Sequence, residues 1–235
     1  FFTGDELVMP GQPLPAGGIY NSNRFVLNAL LRRLGCEVLD LGIVPDSREA
    51  TRQALREAAE GADLIISAGG VSVGEEDHVR PAVEAEGQID LWRVAIKPGR
   101  PLAYGRVGRH GPEGARAAVP GSFAHFIGLP GNPVSAYVTF LLFVRPFVLR
   151  LQGIQAVEPQ AVTLISGFDW TNPDRRREFL RAVHLPDGRL GLFRQQGSAV
   201  LTSAVVGHGL IDNPPGQTIR QGDAVRFLSF AELLN

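Results

Sequence analysis

Residues 62–78 read ADLIISAGGVSVGEEDH, and this stretch decides the fold class. Its first part, residues 62–67, is an apolar run of strand length, which is typical of a strand buried in a parallel sheet. A glycine-rich loop at residues 69–74 follows, and a short helix is predicted from about His78 to Glu86. Because α/β sheets bind ligands where their strands end and their helices begin, this order predicts a ligand-binding α/β domain.

Alternating strands and helices are predicted on both sides of that stretch. The leucines between Leu27 and Leu34 have the spacing of an amphipathic helix, which Asn21 or Ser22 can cap. Further elements are predicted as strands at residues 36–41, 91–96, 102–104 and 126–129, a helix that Asp46 caps and that runs to about Glu60, and a hairpin tip or exposed loop at residues 105–124.

A long apolar helix closes the first part of the chain. Asn132 fits its N-cap and Pro133 its first turn, and the apolar run continues to about Leu151. Beyond it, short β runs alternate with Gly, Pro, Asn and Asp. We therefore predict an α/β domain over residues 1–152, three-layered around a mainly parallel sheet, and a small all-β, barrel-like domain over residues 153–235.

Composition excludes several classes of function. The net charge is −1, so no overall field attracts nucleic acid or an anionic membrane, and any anion site must be local. The single cysteine, Cys36, allows no internal disulfide and is expected to be a small buried residue in a reducing compartment. We recognise no apolar run of about 18 residues and no signal peptide, which predicts a cytoplasmic protein without a membrane span.

The glycine loop is the first candidate binding element. Gly69, Gly70 and Gly74 would let backbone N–H groups approach an anion, and Ser72 adds a hydroxyl donor. The loop matches neither the dinucleotide-binding nor the P-loop glycine pattern, which disfavours both functions. Because such turns also occur without a ligand, the spacing alone leaves a purely structural turn open.

Three carboxylates are candidate acids or metal ligands. Asp77 follows the glycine loop by three residues and would hold a hard cation beside a phosphate, or else cap the next helix. Asp5 and Glu6 follow a short apolar strand end, and if that strand continues, only one of them points into a given cleft. A solvated turn is the alternative for this pair.

Two segments are candidate anion sites. Residues 97–101, KPGRP, hold Lys97 and Arg100 in a turn that prolines stiffen, which suits an oxyanion unless it is only an exposed basic turn. Asn132 and Pro133 open a helix whose free N–H groups and dipole favour a phosphate, unless it is a plain helix start. The five histidines show no paired metal-ligand spacing, so a zinc site is not expected.

Five motifs follow one another along the first part of the chain: TGDEL (3–7), IYNSNR (19–24), ADLIISAGGVSVGEEDH (62–78), VAIKPGRPLAYG (94–105) and GLPGNPVSAYVTF (128–140). In this order they resemble the molybdopterin molybdenumtransferases, the MoeA/gephyrin family. REFLRAV (177–183) and GSAVLTSAVVGHGLIDNPPG (197–216) resemble the C-terminal β domain of that family. The resemblance covers nearly the whole chain, and full-length members carry two further domains before TGDEL.

The resemblance implies an enzyme of molybdenum cofactor biosynthesis. Such an enzyme inserts molybdate into adenylylated molybdopterin and releases AMP with the help of a divalent cation, usually Mg²⁺. It also implies a homodimer, with the adenylyltransferase of the same pathway as a further partner. Because the chain opens on Phe1 without an initiator methionine, we expect an N-terminally incomplete piece of such a protein.

The matching positions imply roles for individual residues. Glu6 and Asp77, with Asp5 as a lesser candidate, would be the catalytic acidic residues, and Glu6 and Asp77 would bind the metal. The residues implied to bind the pterin nucleotide are Gly69, Gly70, Ser72, Gly74, Asn132 and Ser135. The residues implied to bind molybdate are Lys97, Arg100, Pro101, Ser203, Arg177 and Arg181.

Three positions depart from the family pattern. Asn21 stands where Asp is common, Arg100 where Lys is common, and His208 where Asn is usual. Arg100 keeps the positive charge but favours planar, bidentate contacts. Two other functions remain open: a molybdopterin adenylyltransferase, which the β domain and the KPGRP turn argue against, and a non-catalytic scaffold of the gephyrin type.

Overall fold

The computed structural model describes residues 1–71, 78–109 and 122–234. Its strands are β1 (Phe2–Thr3), β2 (Leu7–Val8), β3 (Ile19–Tyr20), β4 (Ile43–Val44), β5 (Leu64–Ala68), β6 (Gly87–Trp92), β7 (Ile96–Lys97), β8 (Ala103–Gly108), β9 (Phe123–Leu129), β10 (Val162–Ile165), β11 (Arg177–His184), β12 (Leu190–Leu192), β13 (Gly209–Asn213) and β14 (Ala224–Ser229). Its helices are α1 (Ser22–Arg33), α2 (Arg48–Gly61), α3 (Val79–Glu86), α4 (Pro133–Thr139), a π-helical segment (Phe140–Val144), α5 (Arg145–Leu151), α6 (Thr202–Val206) and α7 (Phe230–Leu234).

The chain divides into two compact units. The first comprises Phe1–Val94 and Pro101–Gly131, and the second comprises Ala95–Arg100 and Asn132–Asn235. This division by internal contacts places the helix that ends at Leu151 in the second unit, whereas the sequence placed a domain boundary at residue 152. That boundary stays a prediction.

The first unit is built on a mixed six-stranded sheet in the order β4-β1-β5-β9-β8-β6. The pairs β4-β1, β1-β5 and β5-β9 are parallel, and the two pairs that involve β8 are antiparallel. The chain leaves β1 towards β4 and then returns past β1 to β5, so right-handed crossovers place α1 and α2 on opposite faces. The predicted three-layer α/β class is therefore confirmed.

The core of this unit lies between the sheet and the pair α2 and α3. Leu55 and Ala59 on α2, Val79 and Val83 on α3, and Phe126 on β9 are all buried in it. The sequence patterns at α1 and α2 account for these helices, because Asn21 caps α1 and Ser47 caps α2 with side-chain acceptors. The predicted cap of the second helix, Asp46, is thus off by one residue.

Two segments around this sheet differ from the prediction. No strand forms at residues 36–41, so that prediction was wrong, and the strand is Ile43–Val44. Asp40 accepts hydrogen bonds from Arg24 Nε and from the Gly42 N–H. The hairpin tip or exposed loop predicted at residues 105–124 is shorter, since β8 reaches Gly108 and β9 begins at Phe123, and these two strands form an antiparallel pair. Residues 110–121 lie outside the described part of the chain.

The long helix predicted after Asn132 forms and ends at Leu151, but five of its residues are π-helical. The Arg145 N–H bonds to the Phe140 carbonyl, five residues back. Pro146 follows at once, and since proline has no N–H and crowds the carbonyl four residues before it, a wider turn accommodates it better than a regular α-turn.

The helical stretch Pro133–Leu151 is also apolar enough to cross a membrane by length and composition, with a mean hydropathy of 1.6 over an 18-residue window. The prediction of no apolar run of about 18 residues was therefore wrong. In the structure, 61% of that window is buried inside the protein, as in the core helix of a folded domain.

The second unit contains a sheet in the order β10-β14-β13-β11-β12, with β7 paired in parallel to β11. Beyond β10, Ser166 forms a bridge to Leu190 on β12, which brings the two edges of the sheet together. Leu180, Leu190, Ile211 and Phe227 fill the interior. The predicted barrel-like β domain is therefore confirmed.

Candidate functional site

Two loops of the first unit meet at the carboxyl ends of its parallel strands. The strand order reverses around β1, and ligands of open α/β sheets bind at such a reversal. Gly69, directly after β5, has a φ of +97°, and a Cβ there would overlap the carbonyl oxygen of Thr3 at the end of β1. Glycine is therefore required for the two strand ends to approach each other.

The glycines of this loop are packed closely on the protein side. The Gly69 N–H donates to the Leu129 carbonyl at 3.1 Å. Gly70 has a φ of +63°, and a Cβ there would lie 2.5 Å from a methyl group of Val79. Both glycines thus have a structural reason to be glycine, beside the predicted contact with a ligand. Ser72, Gly74 and Asp77 lie outside the described residues.

Asp5 and Glu6 lie in a turn and not in a continued strand. The Leu7 N–H donates to the Gly4 carbonyl at 3.0 Å, and both acidic side chains are exposed. A Cβ on Gly4 would be 2.6 Å from Glu6 Oε2, so the missing side chain leaves room for the Glu6 carboxylate to fold back over the strand end. The strand alternation that the sequence suggested for this pair does not apply.

Asp46 is a third acidic residue at this edge, and sequence reasoning treated it only as a helix cap. It follows β4, and its Oδ1 accepts a hydrogen bond from Thr3 Oγ1 at 3.3 Å. The signal was available, because Asp46 follows an apolar strand pair in the same way as Asp5 does.

These carboxylates are compatible with Mg²⁺. Within residues 1–71, 78–109 and 122–234, no group of three or more His, Cys, Asp or Glu side chains is arranged to hold a metal ion. Mg²⁺ does not need such a cage, because it is commonly held by one or two carboxylates, water and the phosphates of a substrate. Exposed Glu6, next to a loop that packs on Thr3, fits that donor set.

In the second unit, Lys97 is held by two carboxylates. Its Nζ lies 3.2 Å from Glu178 Oε1 and 3.5 Å from Asp174 Oδ2. Arg176 in turn binds Asp174 and keeps the pKa of that carboxyl well below its usual range. The local charges of these four residues cancel, so Lys97 by itself does not create a cationic pocket.

The turn after Lys97 is fixed against α4. A Cβ on Gly99 would overlap Thr139 Cγ2, and Thr139 Oγ1 donates to the Ser135 carbonyl at 2.7 Å. Arg100 next to it is exposed, and no ion pair forms to it from the part of the chain that the structure describes. Pro101 follows and is half-buried. The uncompensated positive charge of the KPGRP turn is therefore that of Arg100.

Arg177 and Arg181 lie on β11, but not on the same face as Lys97. β7 and β11 are paired with Lys97 opposite Glu178, and side chains alternate along a strand, so Arg177 and Arg181 point to the other face. Arg177 forms a bidentate pair with Asp212 at 2.6 Å for both contacts. The structure does not bring the predicted molybdate ligands into one cluster.

Arg181 is 1% exposed. Its guanidinium donates to the carbonyls of Gly197 at 2.7 Å and Gln195 at 3.4 Å, while its Nε has no hydrogen-bond partner among the described residues. Burial lowers its pKa to about 10, since the charged form loses hydration. Ser203, at the start of α6, is also 1% exposed. An oxyanion would reach either side chain only after the surrounding chain moves.

Asn132 and Ser135 lie in the first turn of α4. Asn132 takes the N-cap position and Pro133 the first turn, as predicted, but no side-chain cap forms. The Val134 N–H donates to the Ser198 carbonyl at 2.9 Å, which uses one of the free donors of this helix start. Ser135 is 5% exposed. Their predicted contact with a phosphate stays a prediction.

Two family models match successive parts of the chain. Residues 1–150 match the family model "Probable molybdopterin binding domain", and residues 163–230 match "MoeA C-terminal region (domain IV)". A molybdopterin molybdenumtransferase of Haemophilus influenzae is 47% identical over 64% of this chain and 34% of its own length. One of Nostoc is 35% identical over 84% of this chain and 44% of its own length.

The fold of the chain is also similar to that of a solved MoeA structure. A molybdopterin biosynthesis MoeA protein from Pyrococcus horikoshii superposes with a TM-score of 0.77 at 25% identity, over 97% of this chain and 53% of that one. The chain thus spans between a third and a half of the length of these two curated relatives. It belongs to the MoeA family of molybdenum cofactor biosynthesis proteins and contains the molybdopterin-binding domain followed by the MoeA C-terminal region.

Proposed function

We propose that this chain is the part of a molybdopterin molybdenumtransferase that binds adenylylated molybdopterin, receives molybdate and takes part in the release of AMP. The observation that carries the proposal is the meeting of the Thr3 and Gly69 loops at the reversal of strand order, with Glu6 and Asp46 beside them. Phosphoryl chemistry needs positioning and charge neutralisation more than a nucleophilic side chain. The loops at this edge would supply the positioning, and a cation held by its carboxylates would supply the neutralisation.

In this proposal each group has a limited task. Mg²⁺ would neutralise phosphate charge when bound, with Glu6 and Asp77 as its ligands. The loop at Gly69 and Gly70 would position the nucleotide, and Asp5 would contribute negative charge at the rim. Asn132 and Ser135 would contact the ligand from α4. Lys97, Arg100 and Pro101 would bind molybdate. Arg177, Arg181 and Ser203 would be further molybdate-binding residues only after the surrounding chain moves, because Arg181 and Ser203 are buried and Arg177 is paired with Asp212.

We further propose a cytoplasmic homodimer that receives its substrate from the adenylyltransferase of the same pathway. The relatives named molybdopterin molybdenumtransferase support the activity, and the second unit supports it over an adenylyltransferase, since it matches the MoeA C-terminal region. A chain that forms adenylylated pterin from ATP would instead be the adenylyltransferase.

The test is calorimetric titration of the chain with adenylylated molybdopterin, with and without Mg²⁺. We expect binding that Mg²⁺ strengthens at least tenfold, and we expect Glu6→Gln to remove that gain while leaving the metal-free affinity within about threefold. Glu57→Gln, an exposed carboxylate on α2, is the matched control and should behave like the parent chain. A Mg²⁺ gain that persists undiminished in Glu6→Gln excludes Glu6 as a metal ligand.

A further inference from the structure

Glu178 is a buried carboxylate to which the proposed function assigns no role. It lies on β11 at 0% exposure, directly opposite Lys97 in the β7–β11 register. Besides Lys97 Nζ at 3.2 Å, its carboxylate accepts hydrogen bonds from Trp170 Nε1 at 2.8 Å and Asn213 Nδ2 at 3.5 Å. Trp170 and Asn213 both contact Oε2, while Lys97 contacts Oε1.

This arrangement fixes the position of the carboxylate. A buried charge is tolerated when hydrogen bonds and an opposite charge replace its water, and Glu178 has both. Two neutral donors hold one oxygen in place, so the other oxygen is fixed relative to the turn that carries Lys97. A lysine side chain has four rotatable bonds and rarely holds one orientation without such an anchor.

The ammonium group of Lys97 has three N–H donors. Its Nζ donates to Glu178 Oε1 at 3.2 Å and forms an ion pair with Asp174 Oδ2 at 3.5 Å, and its side chain is 42% exposed. Among the described residues no other acceptor contacts Nζ, which leaves a donor for a ligand. The turn that follows Lys97 is held in place because Gly99 packs on Thr139. The backbone of this turn and the two carboxylates together limit the directions in which the Lys97 ammonium group can point.

We propose that Glu178, held by Trp170 and Asn213, is a positioning residue that orients the Lys97 ammonium towards a tetrahedral oxyanion. The inference rests on the proposed function, because it takes Lys97 as an oxyanion ligand. Glu178 touches neither ligand nor nucleotide; it acts through Lys97. Its loss therefore affects the affinity for molybdate and not the affinity for the pterin nucleotide.

The experiment measures molybdate binding to the full chain by equilibrium dialysis with elemental analysis. We expect Glu178→Gln to raise the Kd for molybdate at least tenfold with unchanged stoichiometry, because the amide turns a donor towards either Lys97 or Trp170 and no longer orients the ammonium group. This loss of orientation opposes the electrostatic gain from removing a negative charge beside the oxyanion. Glu178→Asp, which keeps the charge, should recover part of the affinity. A purely structural role would lower the fraction of binding-competent chain and leave the Kd unchanged.

A second variant covers the case in which Glu178→Gln does not fold. Trp170→Phe keeps the aromatic ring and removes only the Nε1 donor, and it should raise the Kd about threefold. Glu158→Gln, an exposed carboxylate of the same unit, is the control and should match the parent. Molybdate binding by Glu178→Gln or Trp170→Phe that is as tight as in the parent overturns the positioning role.

A Lys97→Met variant separates this inference from the proposed function. If Lys97→Met loses molybdate while Glu178→Gln retains it, Lys97 is an oxyanion ligand and only the inference about Glu178 fails. If Lys97→Met binds molybdate like the parent, the assignment of Lys97 in the proposed function fails, and the inference fails with it. Binding of adenylylated molybdopterin should be the same in all these variants.

Discussion

The buried guanidinium of Arg181 is held by backbone carbonyl groups of neighbouring segments. Its side chain is among the largest that are fully buried, and in the described part of the chain its partners are carbonyl groups and no carboxylate. Carbonyls satisfy a guanidinium in several directions at once, which the planar, multi-donor shape of arginine allows. The residue therefore ties the segment around Gly197 to β11.

We predict that Arg181→Lys destabilises the protein more than Arg181→Met does, by about 1–2 kcal/mol. Lysine keeps a buried positive charge but cannot reach the separate carbonyls, whereas methionine fills the space of the stem without a charge. Urea unfolding of the parent and both variants measures the difference. A lysine variant as stable as the methionine variant, or more stable, contradicts this explanation.

Individual site residues were predictable from sequence only where their place follows from the neighbouring strand or helix and not from contacts with distant segments. Glu6 and Gly69 follow strands, and their meeting at one edge of the sheet is a consequence of the predicted α/β fold. Glu178 was not predictable, because its partner Lys97 is 81 residues away and the two strands that carry them pair across the chain. Arg181 was predicted as a ligand contact, but its burial depends on a segment 14–16 residues later.

At the scale of elements, ion pairs fasten α2 to the end of α3. Glu86 is 6% exposed and binds Arg52 at 2.7 Å and Arg56 at 2.8 Å. The hydrogen bond from Arg56 is the largest cause that lowers the pKa of Glu86 to about 2. Because the pKa is lower in the folded chain, ionised Glu86 stabilises the fold above about pH 4.5, and this contribution is lost as the pH falls towards 2.

We predict that Glu86→Gln makes the protein less sensitive to acid. Between pH 7 and pH 3 the parent should lose about 2 kcal/mol more of its unfolding free energy than the variant, from a pKa shift worth about 1.4 kcal/mol per unit. Urea unfolding at the two pH values measures this. Glu84→Gln is the control, because Glu84 lies on the same helix in an exposed pair with Arg80 and should follow the parent. Equal acid sensitivity of the parent and Glu86→Gln would show that the ionisation of Glu86 does not contribute to the pH dependence of stability.

Elements were predictable to different degrees for a physical reason. The starts and ends of α1 and of the helix that ends at Leu151 follow from caps and apolar spacing, which are local. The strand predicted at residues 36–41 does not form, and Asp40 there binds Arg24, a contact made only in the folded unit. The π-helical segment was not predicted, because a proline after an apolar run changes the hydrogen bonds of the preceding turn without interrupting the helix.

At the scale of the whole molecule, the second unit is not continuous in sequence. It takes its edge strand β7 from residues 95–100 and the rest from residue 132 onwards. A family model starts only at residue 163 and so leaves this strand out of its C-terminal region. Cutting the chain at any point between residues 100 and 163 separates Lys97 from Glu178. The sequence patterns gave no indication of that dependence.

We predict that the effect of Glu178→Gln changes sign between the intact chain and a fragment of residues 132–235. In the intact chain Glu178 is paired with Lys97, so the substitution breaks a buried pair and lowers the unfolding free energy. In the fragment β7 is missing, and Glu178 becomes a buried carboxylate without its cation, which costs about 3–5 kcal/mol. There the neutral amide should raise the unfolding free energy by about 1–3 kcal/mol, since burying an amide costs less than burying a charge.

Urea unfolding followed by circular dichroism measures the difference between parent and Glu178→Gln, once in the intact chain and once in the fragment. If Glu178→Gln destabilises the fragment as it does the intact chain, Lys97 is not what makes the buried charge tolerable, and Trp170 and Asn213 are sufficient.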